Sequence, residues 1–179
     1  MNTIMIIIFC IAIIIALLLI VAALVSNKSF IEQTITINQP AQTVYDYLKH
    51  VKNHDKFSIW AMMDPEMKRE YRGTDGTVGF VFYWHSDKKN NVGTGEQEIK
   101  QLVNGQKVEF ELRFIKPFQS TSKAVMTTQP VGESQTKVSW SLESEMKFPM
   151  KIMKPMIENM LTKNLQQGLQ NLKTILETK

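Results

Sequence analysis

Polar residues are absent from a long run just after Met1-Asn2-Thr3, and beyond it they arrive in two distinct rhythms. Residues 4–25 contain no charged, strongly polar, Gly or Pro residue over 22 positions, and sixteen of them are Ile, Leu, Val or Phe. A helix of that length reaches roughly 33 Å, enough for a hydrocarbon core of about 30 Å. A helix buried in a soluble core would need a polar face toward water, and this segment has none. Residues 1–26 are therefore expected to form a transmembrane anchor that meets the lipid bilayer through residues 4–25. The rival is a cleaved signal peptide processed near Val21-Ala22-Ala23. It lacks a basic leading region, and the apolar run exceeds the usual length of about 7–15 residues.

After Ser26 the rhythm has a period of two. Residues 30–37 alternate apolar and polar side chains and predict a strand, closed by Asn38-Gln39-Pro40. Val44, Leu48 and Val51 recur at helical spacing and predict a short helix over 41–52. A second is expected over 56–63, ahead of Asp64-Pro65. Strands follow at 67–72, 80–85, 93–102 and 107–114, with Asn104-Gly105 as a hairpin turn, and two more after Pro117. Phe80, Phe82 and Trp84 share one face, as do Val108, Phe110, Leu112 and Phe114. Ala124, Met126 and Thr128 do the same, as do Val138, Trp140 and Leu142. Alternation of this kind predicts an antiparallel sheet with one face in the core and the other in water.

The second rhythm is helical. Residues 149–177 are expected to form one long helix with an apolar stripe that includes Met153, Ile157, Met160, Leu161, Leu165, Leu169, Leu172 and Leu176. Residues 27–179 thus predict a single α+β domain. A curved sheet buries its apolar face only by closing over that helix. The space between them is too wide for side chains to fill throughout, so a cavity is expected.

This order resembles the helix-grip fold of the START-like superfamily, also called SRPBCC or polyketide cyclase/dehydrase-like proteins. The likeness runs over about residues 30–176. It is carried by Ile35-Thr36-Ile37-Asn38-Gln39-Pro40-Ala41 with Val44-Tyr45-Asp46-Tyr47-Leu48, by Phe57-Ser58-Ile59-Trp60, and by Gly93-Thr94-Gly95-Glu96. Ala61-Met62-Met63-Asp64-Pro65 and Phe114-Ile115-Lys116-Pro117-Phe118 are similar to segments of bacterial members. The resemblance implies fold and superfamily but neither ligand nor reaction.

Composition narrows the function classes. The formal net charge of +4 comes without any run of five basic residues, so no nucleic-acid footprint is indicated. Cys10 is the sole cysteine and falls in the apolar segment, leaving the domain without a disulfide or a cysteine-based zinc site. Lys28, Lys49 and Lys52 follow the span, which by the positive-inside rule leans the domain toward the cytoplasm. A monomeric domain is expected, because its apolar stripe and sheet faces match one another.

The candidate site is the inner apolar surface. Phe82, Trp84, Phe110, Met126 and Trp140 from the sheet, Trp60 from the short helices, and Met153, Met156, Ile157 and Met160 from the long helix are the expected cavity lining. Methionine adapts to irregular apolar partners. Asp46, His50 and His54 have a metal-ligand spacing, but they are expected on solvated helix surface. His85, Glu96, Glu98 and Arg113 are expected to point outward, while the directions of Arg69, Tyr71 and Gln97 stay open. No nucleophile–base pair can be assembled from these, the glycines at 73, 76 and 79 read as a turn, and no cofactor is called for. The leading expectation is a membrane-anchored binding domain for a lipid-like or other apolar molecule. The alternatives are a cyclase or dehydratase on an apolar substrate and an envelope interaction domain with no small ligand.

Overall fold

The computed structural model describes residues 2–24, 26–88, 92–148 and 150–178, with side chains described at all of these except 15, 18, 20–24 and 150. Val25 and Pro149, the expected end of the span and start of the last helix, lie outside the described residues. The first helix, α1, covers Thr3–Leu24. Among the described residues no helix is long and apolar enough to cross a membrane. The side chains of α1 over residues 3–14 are all exposed.

The domain follows as β1 (Lys28–Ile37), α2 (Ala41–Leu48), a 3-10 helix (Val51–Lys56), α3 (Ile59–Met62) and six more strands. These are β2 (Lys68–Arg72), β3 (Val81–His85), β4 (Thr94–Val103), β5 (Lys107–Lys116), β6 (Ser120–Gly132) and β7 (Gln135–Glu145). A 3-10 turn (Met150–Met153) leads into α4 (Lys154–Glu177). The strands form one seven-stranded antiparallel sheet in the order β1-β7-β6-β5-β4-β3-β2, so β1 is brought beside the last strand. This is the expected helix grip.

Two expected helices are shorter than their spacing implied. The helix over 41–52 stops at Leu48 because side chains capture its end. Asn53 donates to the Tyr47 carbonyl at 2.9 Å, and His54 Nε2 lies 3.0 Å from the Leu48 carbonyl. Asp75, far along the chain, accepts from the backbone N–H of Val51 at 2.8 Å and fixes the turn that follows. The expected second helix over 56–63 is reduced to α3, and the 3-10 helix that precedes it ends at Lys56. At the other end of the chain, Pro155 lies in the first turn of α4, where its missing N–H costs nothing, so the α-helix proper begins at Lys154.

The grip has a closed end and an open end. At the closed end the α4 residues Leu165, Leu169, Leu172 and Leu176 are buried together with Ile37, Val138, Met126 and Ile99. Each side chain of this kind stabilises the fold by about 1.5–3 kcal/mol when fully buried. Val44, Tyr45 and Leu48 of α2 are buried there too, and Thr136 ties its hydroxyl to the Gln39 carbonyl at 2.7 Å. Toward the start of α4 the burial fades. Ile157 and Leu161 are half-buried, and Met156 is 60% exposed.

Candidate functional site

The outer sheet face is ionic. Glu96, Glu98 and Arg113 point outward as alternation predicted. Arg113 donates to Glu98 at 2.6 Å, to Glu111 at 2.5 Å and to Glu96 at 3.0 Å. The bond from Arg113 holds the Glu98 carboxyl below the usual carboxylate range. His85 is also on this face, 2.7 Å from Thr94 Oγ1 and 2.9 Å from Asp87. An open depression of about 450 Å³ lies here, and Lys100, Glu109, Lys123 and Glu143 give it a charged lining. Such a surface suits no apolar molecule.

The inner face is apolar, and the structure sorts the expected site residues into three groups. Phe82, Trp84, Phe110 and Met126 are buried in the core. Trp84 donates through Nε1 to the Val92 carbonyl at 3.2 Å and lies against Gly95, where a β-carbon would meet its ring at 2.5 Å. Trp60, Trp140 and Ile157 form the second group and are half-buried. They are joined by Leu112, Phe114 and Leu161, which sequence reasoning placed inward but did not single out. Trp60 meets Phe114 edge-on at 6.0 Å, and Phe114 meets Trp84 likewise at 6.0 Å. The third group, Met153, Met156 and Met160, corrects an expectation. All three are exposed, at 45%, 60% and 40%. At about 100° per residue Met156 and Met160 lie roughly 140–180° around α4 from Leu165 and Leu169, and Met153 precedes the helix, so all three fall outside the buried stripe. They face water instead of the interior.

Two polar atoms in this region have no partner among the described residues. Trp60 Nε1 and Asn164 Nδ2 are buried donors without an acceptor. Leaving a buried donor unpaired costs about 1–3 kcal/mol. Trp60 is on α3 and Asn164 on α4, two elements that pack against each other. Asn171, two turns further along α4, does find the Phe57 carbonyl at 3.2 Å. An acceptor-bearing apolar molecule would satisfy what the protein leaves open. Sequence could not mark these residues, because an indole or amide becomes an orphan only through what surrounds it.

The titratable groups are otherwise engaged. His54 corrects a second expectation, since it is buried rather than solvated. Its Nε2 faces the Leu48 carbonyl and its Nδ1 accepts from Gln97 at 3.3 Å, which suits the neutral ring. Burial pushes its pKa down to about 4 against the pull of the Leu48 bond and Asp75. Arg69, Tyr71 and Gln97, whose directions alternation left open, all face inward opposite Trp84, Phe82 and Leu112 respectively. Arg69 lies 3.2 Å from Asp55, and Tyr71 donates to the same carboxylate at 3.4 Å. Burial pushes the Asp55 carboxyl up while Arg69 and Tyr71 pull it back. Arg69 also binds the carbonyls of Pro65 and Met67 at 3.0 Å, so this cluster fastens β2 to the 3-10 helix.

Asp46, His50 and His54 do not converge. Asp46 binds Lys49 at 2.6 Å, His50 faces Asp75 at 3.8 Å, and His54 turns inward. Among the described residues no group of three or more His, Cys, Asp or Glu is arranged to hold a metal ion.

The model of the family described as polyketide cyclase / dehydrase and lipid transport matches residues 30–177. The chain belongs to that family. None of the curated proteins compared with it matches. Among solved structures, the truncated norcoclaurine synthase of Thalictrum flavum is similar at 14% identity and a TM-score of 0.64, covering 83% of this chain and 92% of its own. Protein CV1439 of Chromobacterium violaceum gives 17% and 0.58, covering 83% and 96%. Protein MLL2253 of Mesorhizobium loti gives 14% and 0.59, covering 84% and 98%. At such identities these relatives show a shared fold for the family domain and nothing about its ligand.

Proposed function

We propose that this protein is a membrane-anchored binding domain for a lipid-like molecule with an apolar body and a hydrogen-bond-accepting head. The observation that carries the reading is a set of half-buried apolar side chains together with two buried, unpartnered donors on the neighbouring elements α3 and α4. Trp60, Leu112, Phe114, Trp140, Ile157 and Leu161 offer the apolar surface. Trp60 Nε1 and Asn164 Nδ2 offer hydrogen bonds to a carboxylate, carbonyl or hydroxyl. Membership of a family whose description includes lipid transport supports the same direction.

The anchor is part of the proposal. The sequence of α1 carries no charge over 22 residues, and its described side chains find no cover in the domain. A bilayer is the solvent that accepts such a helix with all its backbone groups satisfied internally. The lysines that follow the span favour the cytoplasmic side. Native mass spectrometry of the full chain extracted from its own membranes tests the reading. A co-purifying apolar molecule in one-to-one ratio supports it. A chain that is bare and takes up no fatty acid or lipid added in detergent contradicts it.

A further inference from the structure

We propose that the open end of the domain is a bilayer-docking surface that applies the mouth of the proposed groove, the half-buried apolar surface between α4 and the sheet, to the membrane; this rests on the reading of α1 as an anchor and of that surface as a lipid-like site. The strand register decides which segments share that end. Lys28 pairs with Glu145, Ser144 with Ser122, Phe114 with Ser120, and Lys116 with Thr94. The β5–β6 turn and the β7–α4 connection therefore sit at the end where α1 enters. The entry is tied down there. Met146 donates its backbone N–H to the Asn27 carbonyl at 2.8 Å, and Lys151 and Lys154 reach Asn27 Oδ1 and the Ser26 carbonyl, each at 3.4 Å.

The same end carries large apolar side chains in water. Phe118 is 57% exposed, Phe148 58% and Met153 45%, with Ile115 and Met156 beside them in the chain. At the opposite end the β6–β7 turn presents Val131. Exposed Lys116 and Lys147 flank the two phenylalanines in sequence, and Lys28 and Lys151 stand at the α1 junction. Glu145 and Asp87 are also present, so the end is mixed in charge. Apolar tips bordered by lysines match the chemistry of an anionic bilayer surface, where the tips enter the interface and the ammonium groups meet the headgroups. A tether of a few residues between α1 and β1 leaves this end, and no other, adjacent to the membrane. A lipid would then pass between leaflet and groove without crossing water.

The test uses the full chain with Cys10→Ala and a single further substitution, Phe118→Cys, Phe148→Cys or Val131→Cys. Each variant carries an environment-sensitive fluorophore on the new thiol and is reconstituted into phosphatidylcholine vesicles with or without phosphatidylserine. Labels at 118 and 148 are expected to shift to the blue and to be quenched by doxyl-labelled lipids, with the label at 131 unaffected. Adding Lys116→Glu and Lys147→Glu should lower that quenching several-fold in vesicles containing phosphatidylserine. Equal, weak quenching at all three positions overturns docking. So does a label at 118 that is shielded from water but unquenched, which would mean contact with a second protein copy. A photoreactive lipid separates the two readings. If it still labels Leu112 or Leu161 while 118 stays in water, docking falls and the groove stands; the reverse pattern removes the groove and keeps docking.

Discussion

Gly168 of α4 sits against the indole of Trp140: a β-carbon at 168 would stand 2.9 Å from Trp140 Cζ3 and 3.3 Å from the Phe57 carbonyl oxygen. The helix approaches β7 this closely only because no side chain intervenes. The contact lies within the closed end of the grip, with Leu165 and Leu169 buried on either side and Leu161, nearer the start of α4, half-exposed.

Gly168→Ala sets two effects against each other. Replacing a mid-helix glycine favours the helix by about 1 kcal/mol. Forcing a methyl group into the indole and a backbone carbonyl costs roughly 1–3 kcal/mol. A net loss of stability is expected in thermal unfolding, with a shifted tryptophan fluorescence. A more stable variant would mean that Trp140 does not lie where the structure puts it.

The boundary between the two ends also shows what sequence could reveal. Alternation over β3, β5, β6 and β7 put Phe82, Phe110, Met126 and Val138 on the inner face, and all four are buried. Helical spacing identified the apolar stripe of α4. It could not say which side of that broad stripe the sheet would cover, and so Met153, Met156 and Met160 were expected inside, whereas burial settles on another face of α4, at Leu165, Leu169, Leu172 and Leu176. The end of α2 was hidden for a similar reason. Asp75 caps Val51 across a separation of 24 residues, a contact that no local periodicity encodes.

Trp140→Ala probes the groove from its other wall. A fully buried tryptophan loses about 3–5 kcal/mol on truncation. Because Trp140 is half-buried, a smaller loss is expected, accompanied by weaker binding of a fluorescent fatty acid to the detergent-solubilised chain. A loss in the full range with unchanged probe affinity would assign Trp140 to the core alone.

Asn164→Leu should separate stability from binding. The substitution removes an unsatisfied buried donor and keeps the γ-branched shape, so the ligand-free protein should gain up to about 1–3 kcal/mol, less whatever the larger methyl groups cost in packing. Affinity for a fatty acid should fall, and affinity for the matching hydrocarbon should not. If the variant is destabilised, the amide has a partner that the structure does not show.

Acid should weaken the fold through His54. Its folded pKa of about 4 lies below the ordinary value of 6.5, so the unfolded chain takes up a proton first as pH falls. The contribution is complete above about pH 6.5 and is lost progressively down to about pH 4, amounting to roughly 3 kcal/mol. Thermal unfolding across that window should show a falling midpoint, and His54→Gln should flatten the slope. An unchanged slope in the variant would remove His54 as the cause.

The central claim is an apolar molecule held between α4 and the sheet, and photo-crosslinking tests it most directly. The full chain, in its own membranes, is illuminated with a photoreactive fatty acid and the adducts are mapped by peptide mass spectrometry. The account predicts adducts on Trp60, Leu112, Phe114 and Leu161, which excess unlabelled fatty acid removes. Adducts confined to α1 would show lipid around the anchor and none in the domain, and would contradict the account.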